Sequence, residues 1–527
     1  MRNTARLLYP AAAGLSLVAV LPACAHAGVH HGKRMVVTLA GDGRNADAGN
    51  GAKAARSSLY GPWGLARDAR GNLFIAEHNG NTVREITPDG VIHAFVGTGA
   101  PGHGGDGGTA SAAQLKAPEG LAADASGDVY IADTGNDVVR KVDRNRTITT
   151  LAGTPGVSGE SGDGGQAAKA TLATPGDVAL GPGDQLYVAD WSNQDIRLVH
   201  LASGQISVLA GTGKQGYSGD GGPESKATFN DPVYMALDQA GNVYVSDHYN
   251  HVVRKLDAAT ATISTVAGNA AAPEPVKAGP ATAVGLSTPH ALALSQDGPL
   301  WISTNDHWIV RVSPAGTLTP AAGSGARDYN GEGLEPLAAN LGAANAMLAT
   351  RSGNLLVTDG HNSRLRLIDF NPPSAVDLAL SDTSGHTVAT DVLSANRGYG
   401  LKLVSFTRAR HGSVVDPDGV LRYTPATGFT GTDTFTYTLT DEDGALAQAV
   451  GAETFPQATA TISVTVAPGQ KRYVIPRGPV RTGDGASWSS PATAPVPAPF
   501  MLIGTGFGLA LLAFARAARR RRGIGGR

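Results

Sequence analysis

The chain has 527 residues, of which 70 are glycine, 16% are charged and one is cysteine. That length holds two or three domains, the glycine content points to turn-dense β structure, and a lone Cys24 excludes an intramolecular disulfide framework. The net charge of −2 conceals eight basic and no acidic residues in 1–27 and 516–527; the 34 basic against 44 acidic residues left elsewhere argue against a nucleic-acid or phosphate partner, which needs a basic face.

Taken in chain order, residues 1–27 place Arg2 and Arg6 ahead of an apolar run from Leu7 to Leu21 and the small-residue pattern Ala25-His26-Ala27. This predicts a secretory signal peptide cut before Gly28. Leu21-Pro22-Ala23-Cys24 also has the outline of a lipoprotein signal, which the proline weakens. From residue 35 to 370 one phrase recurs. It reads GNVYVSDHYNHVVRKL at 241–256, and its arginine falls at Arg84, Arg140, Arg197, Arg254, Arg311 and Arg366. The spacings of 56, 57, 57, 57 and 55, with β patterning, predict a propeller or a solenoid.

Each unit opens on a proline-led strand (Pro62, Pro118, Pro175, Pro232, Pro289, with Ala344 in the sixth). A Leu-Ala-Gly-like strand ends at Gly41, Gly97, Gly153, Gly211, Gly268 and Gly323. Four short strands per unit make a propeller blade. One Leu-Ala-Gly strand precedes the first complete unit and none follows the last. Met35 to Gly41 is therefore expected to supply the outermost strand of the sixth blade, closing the ring and removing a free edge.

Pro-x-Gly-Leu-Ala, Gly-Asn-Leu-Tyr-Val-Ala-Asp-like strands, Asn-x-x-Val-Arg-Lys-Val and the loop Gly-Tyr-Ser-Gly-Asp-Gly-Gly at 216–222 together resemble the NHL repeat. The resemblance covers about two-thirds of the chain and implies a six-bladed propeller, used most often as a binding platform. A few relatives, such as the peptidyl-hydroxyglycine amidating lyases, are metalloenzymes, and similar propellers carry calcium-dependent lactonases.

In a four-stranded meander the Asp-x-x-Asn loops share a face with the long Gly-Asp-Gly-Gly connections, and the short Asp-x-x-Gly-Asn turns face the other way. A binding site is expected on the long-loop face near the axis. Residues found in every blade are read as architectural: Asp133, Asp190, Asp247 and Asp359, with Glu77 as a variant. Residues that break the pattern carry more information. They are His78, Thr134, Trp191, His248, Asn305 and Gly360 in one ring, and Trp63, Glu119, Gly176, Val233 and His290 in the other.

Trp63, Glu119, Trp191, His248, Tyr249 and His290 are the expected ligand-binding residues, with the aromatics as a floor for a sugar or peptide. No resident cofactor or metal is expected. If the chain is an enzyme, His78, His248 and His290, with Glu119 and Asp306 nearby, are the residues that could hold zinc or another borderline metal. The Gly-Asp-Gly-Gly loops lack the closely spaced carboxylates of a calcium shell. No phosphate loop with its lysine and no Gly-x-Ser-x-Gly elbow is present.

Asn371-Pro372-Pro373 ends the array. Residues 372–467 carry longer alternating strands, and HGSVVDPDGVLRYTPATGFTGTDTFTYTLTDEDG resembles the cadherin-like or bacterial immunoglobulin-like repeat of surface proteins. The fold class is thus all-β: a six-bladed NHL-type propeller over 35–370, then a small β-sandwich, expected to separate from it on limited proteolysis. Ser394-Ala395-Asn396 departs from the family's Asn-Asp pair. Asp441, Asp443 and Asp433 are left as solvated turn carboxylates with at most weak calcium affinity.

Residues 468–499 read as a Pro/Gly/Ser/Ala-rich stalk. Residues 496–527 join Val496-Pro497-Ala498-Pro499 to an apolar stretch Phe500–Ala515 and Arg519 to Arg522. This resembles the PEP-CTERM sorting signal, departing from it at Ala498, and implies an exosortase-like partner and delivery to the cell surface or matrix. An uncleaved tail anchor in the membrane is the alternative.

Two functions compete. One is an exported scaffold that binds an extracellular polysaccharide or surface protein. The other is a metal-dependent extracytoplasmic hydrolase or lyase at the channel mouth.

Overall fold

The computed structural model describes residues 28–270, 276–296, 298–382, 386–417 and 420–468. The expected signal peptide, the stalk beyond residue 468 and the sorting segment lie outside the described residues. Each proline-led segment forms the inner strand of an antiparallel blade; blade 1 runs Pro62–Arg67, Leu73–Glu77, Thr82–Ile86 and Ile92–Val96. Proline has no N–H to donate and is tolerated at the first residue of such a strand. The inner strands of blades 2 to 6 are Leu121–Ala123, Pro175–Gly181, Pro232–Leu237, Pro289–Leu294 and Ala344–Ala349. They adjoin one another in sequence, and the sixth adjoins the first, so the ring is closed. Met35–Ala40 supplies the outermost strand of blade 6, with Met35 opposite Asp369 and Thr38 opposite Arg366.

The repeated arginine and aspartate form a buried bracket. Arg84, Arg140, Arg197, Arg254 and Arg366 are at most 1% exposed. Four of them reach a loop acid at 2.6 to 2.7 Å (Asp47, Asp106, Asp163, Asp220), and Arg366 reaches Glu332 at 3.9 Å. Each also faces the acid ending its own second strand, at 3.2 to 3.7 Å. That second acid accepts a backbone N–H from the long loop, as in Lys116 N to Asp133 and Asn230 N to Asp247, both 2.7 Å. The Asp-x-x-Asn asparagines add Asn136, Asn193 and Asn250 Nδ2 donating to the carbonyls of Gly102, Gly159 and Gly216. Both loop types therefore lie on one face, and the repeated acids are architectural.

Arg311 does not belong to that series, and the sequence alignment is corrected here. In blade 5 Thr304 pairs with Trp308, leaving three residues in the turn, where Asp247 pairs with Val252 across four. One residue fewer moves each following side chain to the opposite face of the strand. Val310 thus occupies the inward position, opposite Ile302, and Arg311 stands outside, opposite Trp301. Val310 packs with Ile302, Val284 and Val276. An apolar contact replaces the ionic bracket, an exchange that is often neutral or stabilising.

The sandwich packs a sheet containing Gly431–Thr440 and Ala458–Val466 against a second sheet containing Leu421–Pro425. Phe435, Tyr437, Leu439, Ile462 and Tyr423 fill the space between them. A helix, Glu442–Val450, stands where a turn was expected. Asp441 caps its start by accepting from Gly444 N at 2.8 Å, and Gly451 ends it at φ 86°.

The sandwich is not a free module. Ala447 and Val450 of the helix share a core with Val37 and Leu39 of the closing strand and with Leu365 and Leu367. Asp443 accepts from Thr350 Oγ1 at 2.7 Å and Asn354 Nδ2 at 2.9 Å in blade 6. Val29–His31, just before the closing strand, pairs with Ser374–Val376.

The solvated-carboxylate reading of the acids in this domain is also corrected. Asp433, Asp441 and Asp443 are 1 to 2% exposed. Asp433 accepts from Tyr423 Oη, His411 N and Arg410 N. Among the described residues no helix is long and apolar enough to cross a membrane.

Candidate binding face at the propeller axis

The residues following each blade-opening proline meet at the axis because the inner strands approach very closely there. A side chain on Gly64 would come within 1.9 Å of the Glu119 carbonyl oxygen, and one on Gly120 within 2.5 Å of Asp177. Glycine is needed at both positions for the blades to abut. Hydrogen bonds stitch each blade to the next around the mouth. Thr134 Oγ1 donates to Pro175 O at 2.8 Å, Ser246 Oγ to His290 O at 2.5 Å, Ser303 Oγ to Ala344 O at 2.8 Å and Thr358 Oγ1 to Trp63 O at 2.7 Å.

Seven of the residues singled out from sequence converge. Trp63 stacks on His78 with ring centroids 4.9 Å apart and meets His290 edge-on at 5.9 Å. His290 in turn lies 5.7 Å from His248. Trp191 packs over Gly176, whose missing Cβ would sit 3.8 Å from both the Trp191 ring and Glu119 Oε2. His78 Nδ1 lies 3.4 Å from Glu119 Oε1. Tyr249 stands outside this group, against His248 at 4.8 Å, and is 53% exposed.

Two further axial residues were not singled out from sequence. The Tyr234 ring lies 4.7 Å from His290, and its buried hydroxyl adjoins the Trp63 indole, which acts on it as a hydrogen-bond donor. Asp177 is buried and accepts from Met235 N at 2.9 Å. The signal was present one position further along the inner strand. Four blades carry glycine or alanine there (Gly64, Gly120, Ala291, Ala346), while blades 3 and 4 carry Asp177 and Tyr234. Toward the short-turn end the inner strands of all six blades enclose a cavity of about 340 Å³, with Asp177 and Tyr234 in its wall.

Burial governs the charge state of this cluster. It lowers His290 to about 3, with His248 adding to the effect, and it lowers His248 as well. It raises Asp177 to about 8 and raises Glu119, which His78 partly restrains. At neutral pH His248 and His290 are thus neutral and Asp177 is protonated. The alternative metal set does not assemble. His248 Nδ1 is 2.9 Å from Pro289 O, His78 faces Glu119, and no three His, Cys, Asp or Glu among the described residues are grouped to hold a metal ion.

Residues 99–161 match the Teneurin NHL domain, and residues 370–452 match the Bacterial Ig domain. The chain thus carries NHL-type repeats in a β-propeller and a bacterial Ig-like domain. The chain is similar to Protein SUPPRESSOR OF QUENCHING 1, chloroplastic, of Arabidopsis thaliana, at 28% identity over 47% of this chain and 24% of the relative. It is also similar to human NHL repeat-containing protein 2, at 30% identity over 34% of this chain and 26% of the relative. The chain therefore spans about a quarter of the length of these curated relatives. A solved auxiliary nutrient binding protein from Bacteroides thetaiotaomicron aligns at 15% identity with a TM-score of 0.47, covering 64% of this chain and 77% of that one.

Proposed function

We propose that this NHL propeller is an exported, surface- or matrix-associated recognition platform that binds an extracellular polysaccharide through its long-loop face. One observation carries the reading. The axial groups are engaged with one another, while Tyr249 borders them with its ring exposed and Trp191 lies half-buried beside Gly176. Aromatic faces of this kind give contact area at low entropic cost and suit sugar rings.

The reading is tested by glycan-array binding of the secreted protein. Trp191→Ala and Tyr249→Ala are expected to weaken binding by about tenfold each at an unchanged melting temperature. Unchanged binding in both variants would overturn it.

A second reading, an extracytoplasmic hydrolase or lyase at the same mouth, is favoured by the buried Glu119 with its raised carboxyl beside His78. It requires turnover of some ester, lactone or peptide substrate that Glu119→Gln abolishes.

A further inference from the structure

Blade 5 departs from the array in a way that creates a second surface feature, well away from the axial mouth. The shortened turn places Arg311 on the outer side of the blade, with its guanidinium carbon 5.8 Å from the centroid of the Trp301 ring. At the equivalent outward position blades 3 and 6 carry Leu198 and Leu367, while blades 1, 2 and 4 carry a charge, and there it is balanced. Glu85 pairs with Arg146 at 2.7 Å, Lys141 with Asp128 at 2.6 Å and Lys255 with Asp257 at 3.0 Å. Arg311 is exposed and has no acid within ion-pair distance among the described residues.

It borders a cleft of about 520 Å³ between blades 5 and 6. Its floor is the partly exposed Phe370, stacked on Trp301, itself 4% exposed, with centroids 4.8 Å apart and planes 19° from parallel. Ser295 Oγ accepts from Trp301 Nε1 at 2.8 Å and fixes the indole. Arg34 lines the same cleft and lies 3.9 Å from Glu335, both half-exposed or more, so that this acid balances it only loosely.

We propose that this cleft binds a carboxylate-bearing sugar, a uronic acid residue of an extracellular polysaccharide; this rests on the polysaccharide-binding reading above and adds the charge class of the sugar. Arg311 and Arg34 hold the carboxylate, for which the planar guanidinium fork is the matched partner. The apolar floor takes the sugar's less polar face. The volume falls within the range of small-ligand sites and admits a short stretch of sugar rather than a long polyanion. The body's excess of acidic residues makes a long anionic chain unwelcome elsewhere on the surface.

The test is calorimetric titration of the full secreted chain with glucuronate and galacturonate oligomers and with their neutral hexose counterparts. The uronates are expected to bind at least about tenfold more tightly than the neutral oligomers, with Arg311→Ala and Arg34→Ala each removing that preference. Arg311→Lys should keep part of it. Because Arg311 is exposed, its variants should melt like the wild type, and a shared loss of folding would be seen directly. Trp191→Ala, on the axial face, should leave uronate binding at this cleft unchanged. Equal binding of acidic and neutral oligomers, or inorganic sulfate competing as strongly as the uronates, would overturn the inference. Uronate binding abolished by Trp191→Ala and untouched by Arg311→Ala would place recognition on the axial face and would also overturn it. Failure of the axial reading alone would instead appear as neutral-glycan binding indifferent to Trp191 and Tyr249.

Discussion

Arg254 shows how much one residue type carries in this fold. Its guanidinium is fully buried, donates to Asp220 at 2.7 Å and faces Asp247 at 3.2 Å, tying a long loop to the end of strand two. Arg254→Ala would strand Asp247 in the interior and should cost about 3 to 5 kcal/mol in urea unfolding. Arg254→Met combined with Asp247→Leu should cost much less, since both partners then become apolar. Blade 5 is the natural version of that exchange, with Val310 and Val276 in contact with one core. The five bracket arginines were legible from spacing alone. Arg311 was misread because a one-residue deletion in the turn is invisible to spacing when an arginine happens to follow. Taking Val310 instead evens the spacings on either side to 56 and 56. Asp177 and Tyr234 were missed for a related reason: only the position directly after the proline was compared, and the axis is lined by the next one as well.

The closing strand has two duties. It pairs with Arg364–Asp369 through its backbone and buries Val37 and Leu39 under the helix Glu442–Val450. Deleting residues 35–40 should expose an unpaired edge and one face of the helix, and produce aggregation visible by light scattering. The pairing was legible because the strand count was one out of register with the chain ends. The helix was not, because its alanine-rich sequence follows a strongly alternating strand; its Asp441 cap and Gly451 stop were the available signals.

Its docking also buries acid against acid. Burial and the neighbouring Asp441 raise Asp369 to about 8, and burial raises Asp441 to about 6 and Asp443 as well. Arg67, held by Glu442 at 2.9 Å, is the cation nearby. Folded values above the unfolded 3.8 mean that the native state holds more protons. The contribution is therefore full below about pH 4 and is lost as pH rises through about 8. Melting temperature should fall from pH 5 to pH 8, by on the order of 2 kcal/mol in stability, and Asp369→Asn should flatten that slope.

At the scale of the whole molecule, the chain builds a ring with two unlike faces and seats the sandwich on the edge where blades 6 and 1 meet. The shared core means that limited proteolysis of the native protein should leave a fragment containing both parts rather than two separate ones. That is the opposite of what the proline-marked boundary suggested. The long-loop face gathers the pattern-breaking aromatics and imidazoles, which sequence could place at one mouth but could not show to be in contact with one another. Under the proposed recognition role, that mutual engagement leaves the mouth's imidazoles committed to one another and to Glu119 rather than to an ion. Elemental analysis of the purified protein tests this most directly. The account predicts no stoichiometric transition metal; about one tightly held zinc per chain, lost on changing His248 and His290 to alanine, would contradict it.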